Sequence, residues 1–223
     1  EARVRLELGP HRGETFINSD MIIVSPGVPL DTDALRTAAE KGVPIIGEME
    51  LASRFFDTPI IAVTGTNGKT TAVSLLGEMI ARSGRKVFVG GNIGTPAIDY
   101  AAGKQDCDYA VLEVSSFQLD TIETFCPVIA VLLNITPDHL ERYADFNAYA
   151  RSKLRIFENQ GSGAYSVLND DDEVLRAFEM PEGPTLLRYG MEKDVERRHA
   201  YMEGRRLIAG LPGVKALSFD TDG

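Results

Sequence analysis

The sequence predicts an α/β protein, a mostly parallel sheet of the P-loop type flanked by helices, and three observations carry that expectation. Short β-branched runs, "IIAV" at 60–63, "YAVLEV" at 109–114 and "VIAVLLNI" at 128–135, suit strands buried on both faces of a parallel sheet. Segments of helical periodicity or loop character alternate with them, as crossover connections require. Between the first run and the helix after it sits "TGTNGKTT" (64–71), a glycine loop at the place where such a sheet binds phosphate.

The elements follow in order. "DMIIV" (20–24) reads as a buried strand, 33–41 as a helix stopped by Gly42, and 43–46 as a second short strand, which makes a βαβ piece. A helix over 48–56 leads to Thr58-Pro59, where proline breaks the pattern and marks a boundary between residues 1–57 and 58–223. After the glycine loop, Val73, Leu76 and Ile80 recur at helical spacing over 69–83, with Gly84 as the stop. "KVFV" (86–89) is a further strand. A helix over 146–158 precedes "AYSVLN" (164–169) and "TLLRYG" (185–190), and "RRLIAG" (205–210) falls in a less regular hairpin region.

At 223 residues and 43% hydrophobic content, the chain can bury one large domain or one domain plus part of another. A net charge of −10 lacks the basic footprint that duplex nucleic acid or an anionic membrane favours. Cys107 and Cys126 form no C-x-x-C pair and are read as reduced, packed thiols. No apolar run reaches the roughly eighteen residues of a membrane span, and no signal pattern opens the chain, so a cytoplasmic protein is expected. The chain begins at Glu1 and stops at Gly223 without a finished element, which points to a fragment.

The chemistry concentrates in a few residues. Gly65 and Gly68 let backbone N–H groups turn inward, Lys69 can set its ammonium on β- and γ-phosphates, and the Thr70 hydroxyl can bind Mg²⁺. A strand-to-helix turn with an incidental lysine is the plainer alternative. The usual P-loop leaves four residues between its first glycine and the Gly-Lys pair; here only Thr66 and Asn67 intervene. Glu113, at the end of a buried strand, is either a Mg²⁺ ligand beside Thr70 or a carboxylate capping the segment that follows. "NITPDHLERY" (134–143) places Asp138 and His139 at another strand end, the histidine as ligand or as a hydrogen-bonded structural residue.

Lys153 stands on physical grounds of its own. In the helix over 146–158, Phe146, Ala150, Leu154 and Phe157 form an apolar stripe with Tyr149 at its edge. Lys153 falls inside the stripe, and Arg151 and Arg155 fall opposite. It either covers apolar surface with its stem or is desolvated, with a lowered pKa and some neutral amine able to react with CO₂. "GGNIG" (90–94) and "SPGVP" (25–29) each have an ordinary turn explanation.

"TGTNGKTT" also resembles the ATP-binding loop of the Mur ligase superfamily, which includes the folylpolyglutamate synthetases and in which the short spacing is normal. "LEVSSFQL" (112–119) resembles the D-glutamate-adding branch of that superfamily. The resemblance covers most of 20–170. It implies the end of a Rossmann-like, UDP-substrate-binding N-terminal domain over 1–57 and an incomplete central ATP-binding domain over 58–223, with a C-terminal amino-acid-binding domain absent. It implies ATP on Gly65, Thr66, Asn67, Gly68, Lys69, Thr70 and Thr71, and catalysis by Lys69, Glu113, His139 and Lys153. Two Mg²⁺ ions are implied, one on Thr70 and Glu113, the other on His139 and a carbamylated Lys153. Asn92 and Ser115 would contact the muramoyl part of UDP-N-acetylmuramoyl-L-alanine, and Gly27 its uridine diphosphate. A bacterial monomer is implied, and a fragment inactive alone. The rival readings are another ligase of the superfamily, a nucleotide-dependent binding module, and a catalytically dead relative. "SSFQL" argues against the first, and the joint presence of Lys69, Thr70, Glu113, His139 and Lys153 against the last.

Overall fold

The computed structural model describes residues 4–138, 141–194, 196 and 198–221. After a short helix α1 (Gly13–Ile17), β1 (Ile22–Val24) and β2 (Ile45–Gly47) pair in parallel, Ile22 beside Ile45 and Val24 beside Gly47. Between them α2 (Asp33–Glu40) buries Leu35 and Ala38 and ends where Gly42 takes a φ of 79°. This is the expected βαβ piece. Helix α3 (Glu48–Ser53) is three residues shorter than the apolar pattern predicts. The Gln105 side chain donates to the Phe55 carbonyl at 2.6 Å and accepts the Asp57 N–H at 2.9 Å, so the backbone there is satisfied without another helical turn.

The rest of the chain runs β3 (Ile60–Thr64), α4 (Lys69–Arg82), β4 (Val87–Gly91), α5 (Ala97–Ala101), β5 (Tyr109–Glu113), α6 (Ser116–Leu119), β6 (Ile129–Leu132) and α7 (Phe146–Leu154). A 3₁₀ turn (Arg155–Phe157), β7 (Tyr165–Asn169), α8 (Glu173–Ala177), β8 (Thr185–Tyr189), β9 (Ala200–Glu203), β10 (Arg206–Ala209) and β11 (Leu217–Asp220) follow. Among the described residues nine strands form one sheet in the order β11-β10-β9-β8-β7-β6-β3-β5-β4. It is parallel from β4 to β9 and antiparallel over the last three strands, where the hairpin region was expected.

Strand β3 shows why the runs read as they do. Its residues alternate between two cores, Ile60 and Ala62 packing with Leu112, Ala130 and Leu132 on one face, Ile61 and Val63 with Val73 and Val111 on the other. Both faces are covered, so the strand is apolar throughout. The crossover from β3 runs past β5 to β4 on one side and that from β6 runs to β7 on the other, which makes the carboxyl ends of the adjacent β3 and β6 a topological switch point.

Three further expectations change in detail. β6 stops at Leu132 although the apolar run continues to Ile135: Leu133 N–H makes the last ladder bond, to the Thr64 carbonyl at 3.0 Å, and beyond it side chains take over, Asn169 Nδ2 donating to the Leu133 carbonyl at 3.0 Å and Asp172 Oδ2 accepting the Ile135 N–H at 2.8 Å. The helix over 146–158 tightens at Arg155, whose guanidinium bonds the Leu119 and Ile122 carbonyls at 2.8 and 2.7 Å. Cys126 is exposed, not packed, with its thiol 3.1 Å from the Asn159 carbonyl; Cys107 is half-buried. Among the described residues no helix is long and apolar enough to cross a membrane.

Candidate active site

The glycine loop joins β3 to α4, and Gly68 stands at the helix N-cap with a φ of 82° and no side-chain cap. The first N–H groups of α4 therefore have no intrahelical partner and suit an anion. Gly65, at a φ of 155°, lies so close to the segment after β6 that a Cβ would sit 3.1 Å from Leu133 Cβ. The Lys69 ammonium curls back onto the loop and donates to the Gly65 and Thr66 carbonyls, both at 2.9 Å.

Beside it, Thr70 Oγ1 donates to Glu113 Oε2 at 2.7 Å, and Asn92 Nδ2 donates to Glu113 Oε1 at 3.0 Å. Glu113 is only 2% exposed. A left-handed Gly91, at a φ of 100°, brings Asn92 there: a Cβ on Gly91 would stand 2.5 Å from the Glu113 carbonyl oxygen. "GGNIG" is thus a close approach as well as a turn. The capping alternative for Glu113 is overturned, since Ser115 and Gln118 close a capping box on α6 themselves. A hydroxyl and a carboxylate are hard oxygen donors of the kind Mg²⁺ takes together with phosphate and water. Among the described residues no group of three or more His, Cys, Asp and Glu side chains is gathered for a metal.

Lys153 is 2% exposed, and its Nζ donates to the Gly65 carbonyl at 2.9 Å and stands 4.7 Å from the centre of the Tyr149 ring. Burial, and then the positive charge of Lys69, push its pKa down to about 7 against weaker opposing pulls from Asp138 and Asp120. A large share of neutral amine at neutral pH follows. The buried strip of α7 is Tyr149, Ala150, Ser152 and Lys153; Phe146 and Leu154, expected in the apolar stripe, are only partly buried. Its tilt is set by polar anchors, as Ser152 Oγ donates to the Ser116 carbonyl at 2.9 Å and Tyr149 OH lies 3.2 Å from Thr66 Oγ1.

A cavity of about 150 Å³ collects Lys69, Asn92, Ser115 and Lys153, together with Asp138, Tyr149 and Phe117. Thr70 and Glu113 join it through the bond to Asn92. Ser115 has a second duty, since its hydroxyl accepts the Gln118 N–H at 3.3 Å. Gly27 is not part of this cluster. Its carbonyl accepts from Arg142 Nη1 at 3.3 Å, the Arg142 guanidinium lies 4.4 Å over the Phe117 ring, and a Cβ at Gly27 would meet nothing within 4 Å. Thr71 is exposed in the first turn of α4. His139 lies outside the described residues. Sequence reasoning missed Asn134, whose side-chain amide bonds both the N–H and the carbonyl of Asn67, and the hydroxyl role of Tyr149. The one available signal was a polar residue at the end of an apolar run.

Residues 63–213 match the family model described as Mur ligase middle domain, and residues 1–47 match Mur ligase MurD-like, N-terminal domain. A UDP-N-acetylmuramoylalanine--D-glutamate ligase of Desulfosudis oleivorans is 61% identical over 173 residues, 77% of this chain and 38% of that protein. One of Citrifermentans bemidjiense is 43% identical over 220 residues, 99% of this chain and 48% of that protein. The chain therefore spans less than half the length of either relative. Among solved structures, a UDP-N-acetylmuramoyl-L-alanyl-D-glutamate--2,6-diaminopimelate ligase superposes with a TM-score of 0.56 at 23% identity, over 91% of this chain and 54% of that one. MurF ligase from Thermotoga maritima in complex with ADP gives 0.54 at 21% identity, over 91% and 56%. Those two likenesses concern the fold. The family model, spanning most of the chain and including the glycine loop and the Glu113 and Lys153 positions, shows that the chain belongs to the Mur ligase family.

Proposed function

We propose that this chain carries the ATP site of a ligase that joins D-glutamate to UDP-N-acetylmuramoyl-L-alanine in peptidoglycan precursor synthesis. The observation that carries the reading is the hydrogen-bonded line Thr70–Glu113–Asn92 beside Lys69 and the buried Lys153. The D-glutamate ligases among the relatives, at 61% and 43% identity, support the choice of acceptor. Residues 1–57 are read as the end of the UDP-substrate domain and 58–223 as ATP-binding domain, in a cytoplasmic monomer.

In this reading the Lys69 ammonium exchanges the Gly65 and Thr66 carbonyls for the β- and γ-phosphates, and the first N–H groups of α4 hold the same anion. Thr70 and Glu113 would hold one Mg²⁺, and His139 with a carbamylated Lys153 the other. Bound Mg²⁺ supplies positive charge against the triphosphate. The L-alanine carboxylate attacks the γ-phosphorus and expels ADP, leaving an acyl phosphate; the amine of D-glutamate then attacks the acyl carbon and expels phosphate. Asn92 and Ser115 orient the muramoyl substrate and Gly27 its uridine diphosphate.

Phosphate release by the purified protein in its natural full length tests this. With ATP, Mg²⁺ and UDP-N-acetylmuramoyl-L-alanine, release is expected to depend on D-glutamate and to fail with L-glutamate. Equal release with L-glutamate would overturn the choice of acceptor. Nucleotide binding with no acceptor-dependent release would favour a binding module.

A further inference from the structure

Asn134 lies just beyond β6 and its side-chain amide holds Asn67 through the peptide groups on both sides of that residue. Its Oδ1 accepts the Asn67 N–H at 2.9 Å, and its Nδ2 donates to the Asn67 carbonyl at 3.0 Å. Its own backbone carbonyl accepts the Thr66 N–H at 3.0 Å. Both N–H groups between the two loop glycines are therefore committed to one residue. The segment that carries Asn134 is braced in turn: Asn169 Nδ2 donates to the Leu133 carbonyl at 3.0 Å, and Asp172 Oδ2 accepts the Ile135 N–H at 2.8 Å.

We infer that Asn134 is a positioning residue for the nucleotide, one that sets the polarity of the short loop. It withholds the N–H groups of Thr66 and Asn67 from a phosphate and keeps the Asn67 carbonyl oxygen bonded to a donor. The cradle is left to Gly68, Lys69 and Thr70 at the start of α4, whose N–H groups have no intrahelical partner. Without that donor the peptide between Asn67 and Gly68 could rotate and turn the Asn67 carbonyl oxygen toward the anion, which repels it. The missing two residues of the loop follow: a spacer whose N–H groups bind β6's extension need not be long enough to wrap a phosphate. This inference rests on reading the loop as an ATP site.

The test compares wild type, Asn134→Ala, Asn134→Asp and Lys69→Ala, each in the natural full-length protein. Calorimetric titration with Mg·ADP and with a non-hydrolysable Mg·ATP analogue is paired with hydrogen exchange of the 64–70 amides and a thermal melt. Asn134→Ala is expected to weaken both nucleotides about ten-fold and to speed exchange of the Asn67 amide, with the melting temperature little changed. Asn134→Asp, nearly isosteric, keeps an acceptor for the Asn67 N–H but cannot donate to its carbonyl and adds a negative charge; it should weaken binding further, and it decides the matter if the alanine variant fails to fold. Unchanged affinities in the folded variants, with only a lower melting temperature, would overturn the role of Asn134 alone. Lys69→Ala should lose the analogue in either case. A wild type that binds neither nucleotide would overturn the reading of the loop, and the role of Asn134 with it.

Discussion

Lys153 shows how far one residue could be read in advance. Its place in an apolar helical stripe is a matter of spacing, and the structure buries it with its amine against the Gly65 carbonyl. With a folded pKa near 7 and an unfolded value near 10.5, the folded state releases the proton first, so stability rises with pH between those values. In CO₂-free buffer, Lys153→Met should therefore be more stable than wild type below pH 7, and the gap should narrow by up to about 1.4 kcal/mol per pH unit above it. Denaturant melts across that range check the sign; a gap that widens with pH would contradict it. In bicarbonate, gentle intact-mass analysis should show wild type, but not Lys153→Met, gaining the mass of one CO₂. Asn134 was not legible in the same way, because its partner Asn67 is distant in sequence and nothing about an isolated asparagine reports which peptide it will meet.

At the scale of elements, α3 was foreseen as a helix, but what fixes it was not. Glu50 on α3 is fully buried and accepts the N–H groups of Glu123, Thr124 and Phe125, the Thr124 hydroxyl at 2.6 Å and Arg54 Nε at 2.8 Å. Burial alone would raise its pKa; those donors outweigh it and hold the carboxyl at about 2, against an ordinary 4.5. The stabilisation is fully present above pH 4.5 and is lost as pH falls toward 2. Glu50→Gln is expected to cost about 3 kcal/mol at neutral pH and to flatten the acid limb of the stability curve between those values. Chemical denaturation from pH 7 downward measures it, and a variant whose acid limb matches wild type would contradict the assignment. Element ends were the weakest part of the sequence reading for the same reason. β6 and α3 both stop where a side chain offers the backbone a better partner, and periodicity contains no trace of that choice.

For the whole molecule, the order of strands does the positioning. The glycine loop follows β3, Glu113 ends β5 and Asn134 follows β6, three adjacent strands around the switch point. Their buried, uniformly apolar sequences made the parallel sheet legible; the order in which they lie side by side was not, since each is equally apolar. The two short glycine-containing segments, 64–68 and 90–94, then bring Lys69, Thr70 and Asn92 to the same place. We propose that this place activates a carboxylate by phosphorylation. This is tested by supplying the full-length protein with ATP, D-glutamate and UDP-N-acetylmuramoyl-L-alanine carrying heavy oxygen in both positions of its alanine carboxylate, then weighing the released phosphate. An acyl-phosphate route predicts one heavy oxygen in each phosphate released; phosphate free of the label would contradict it.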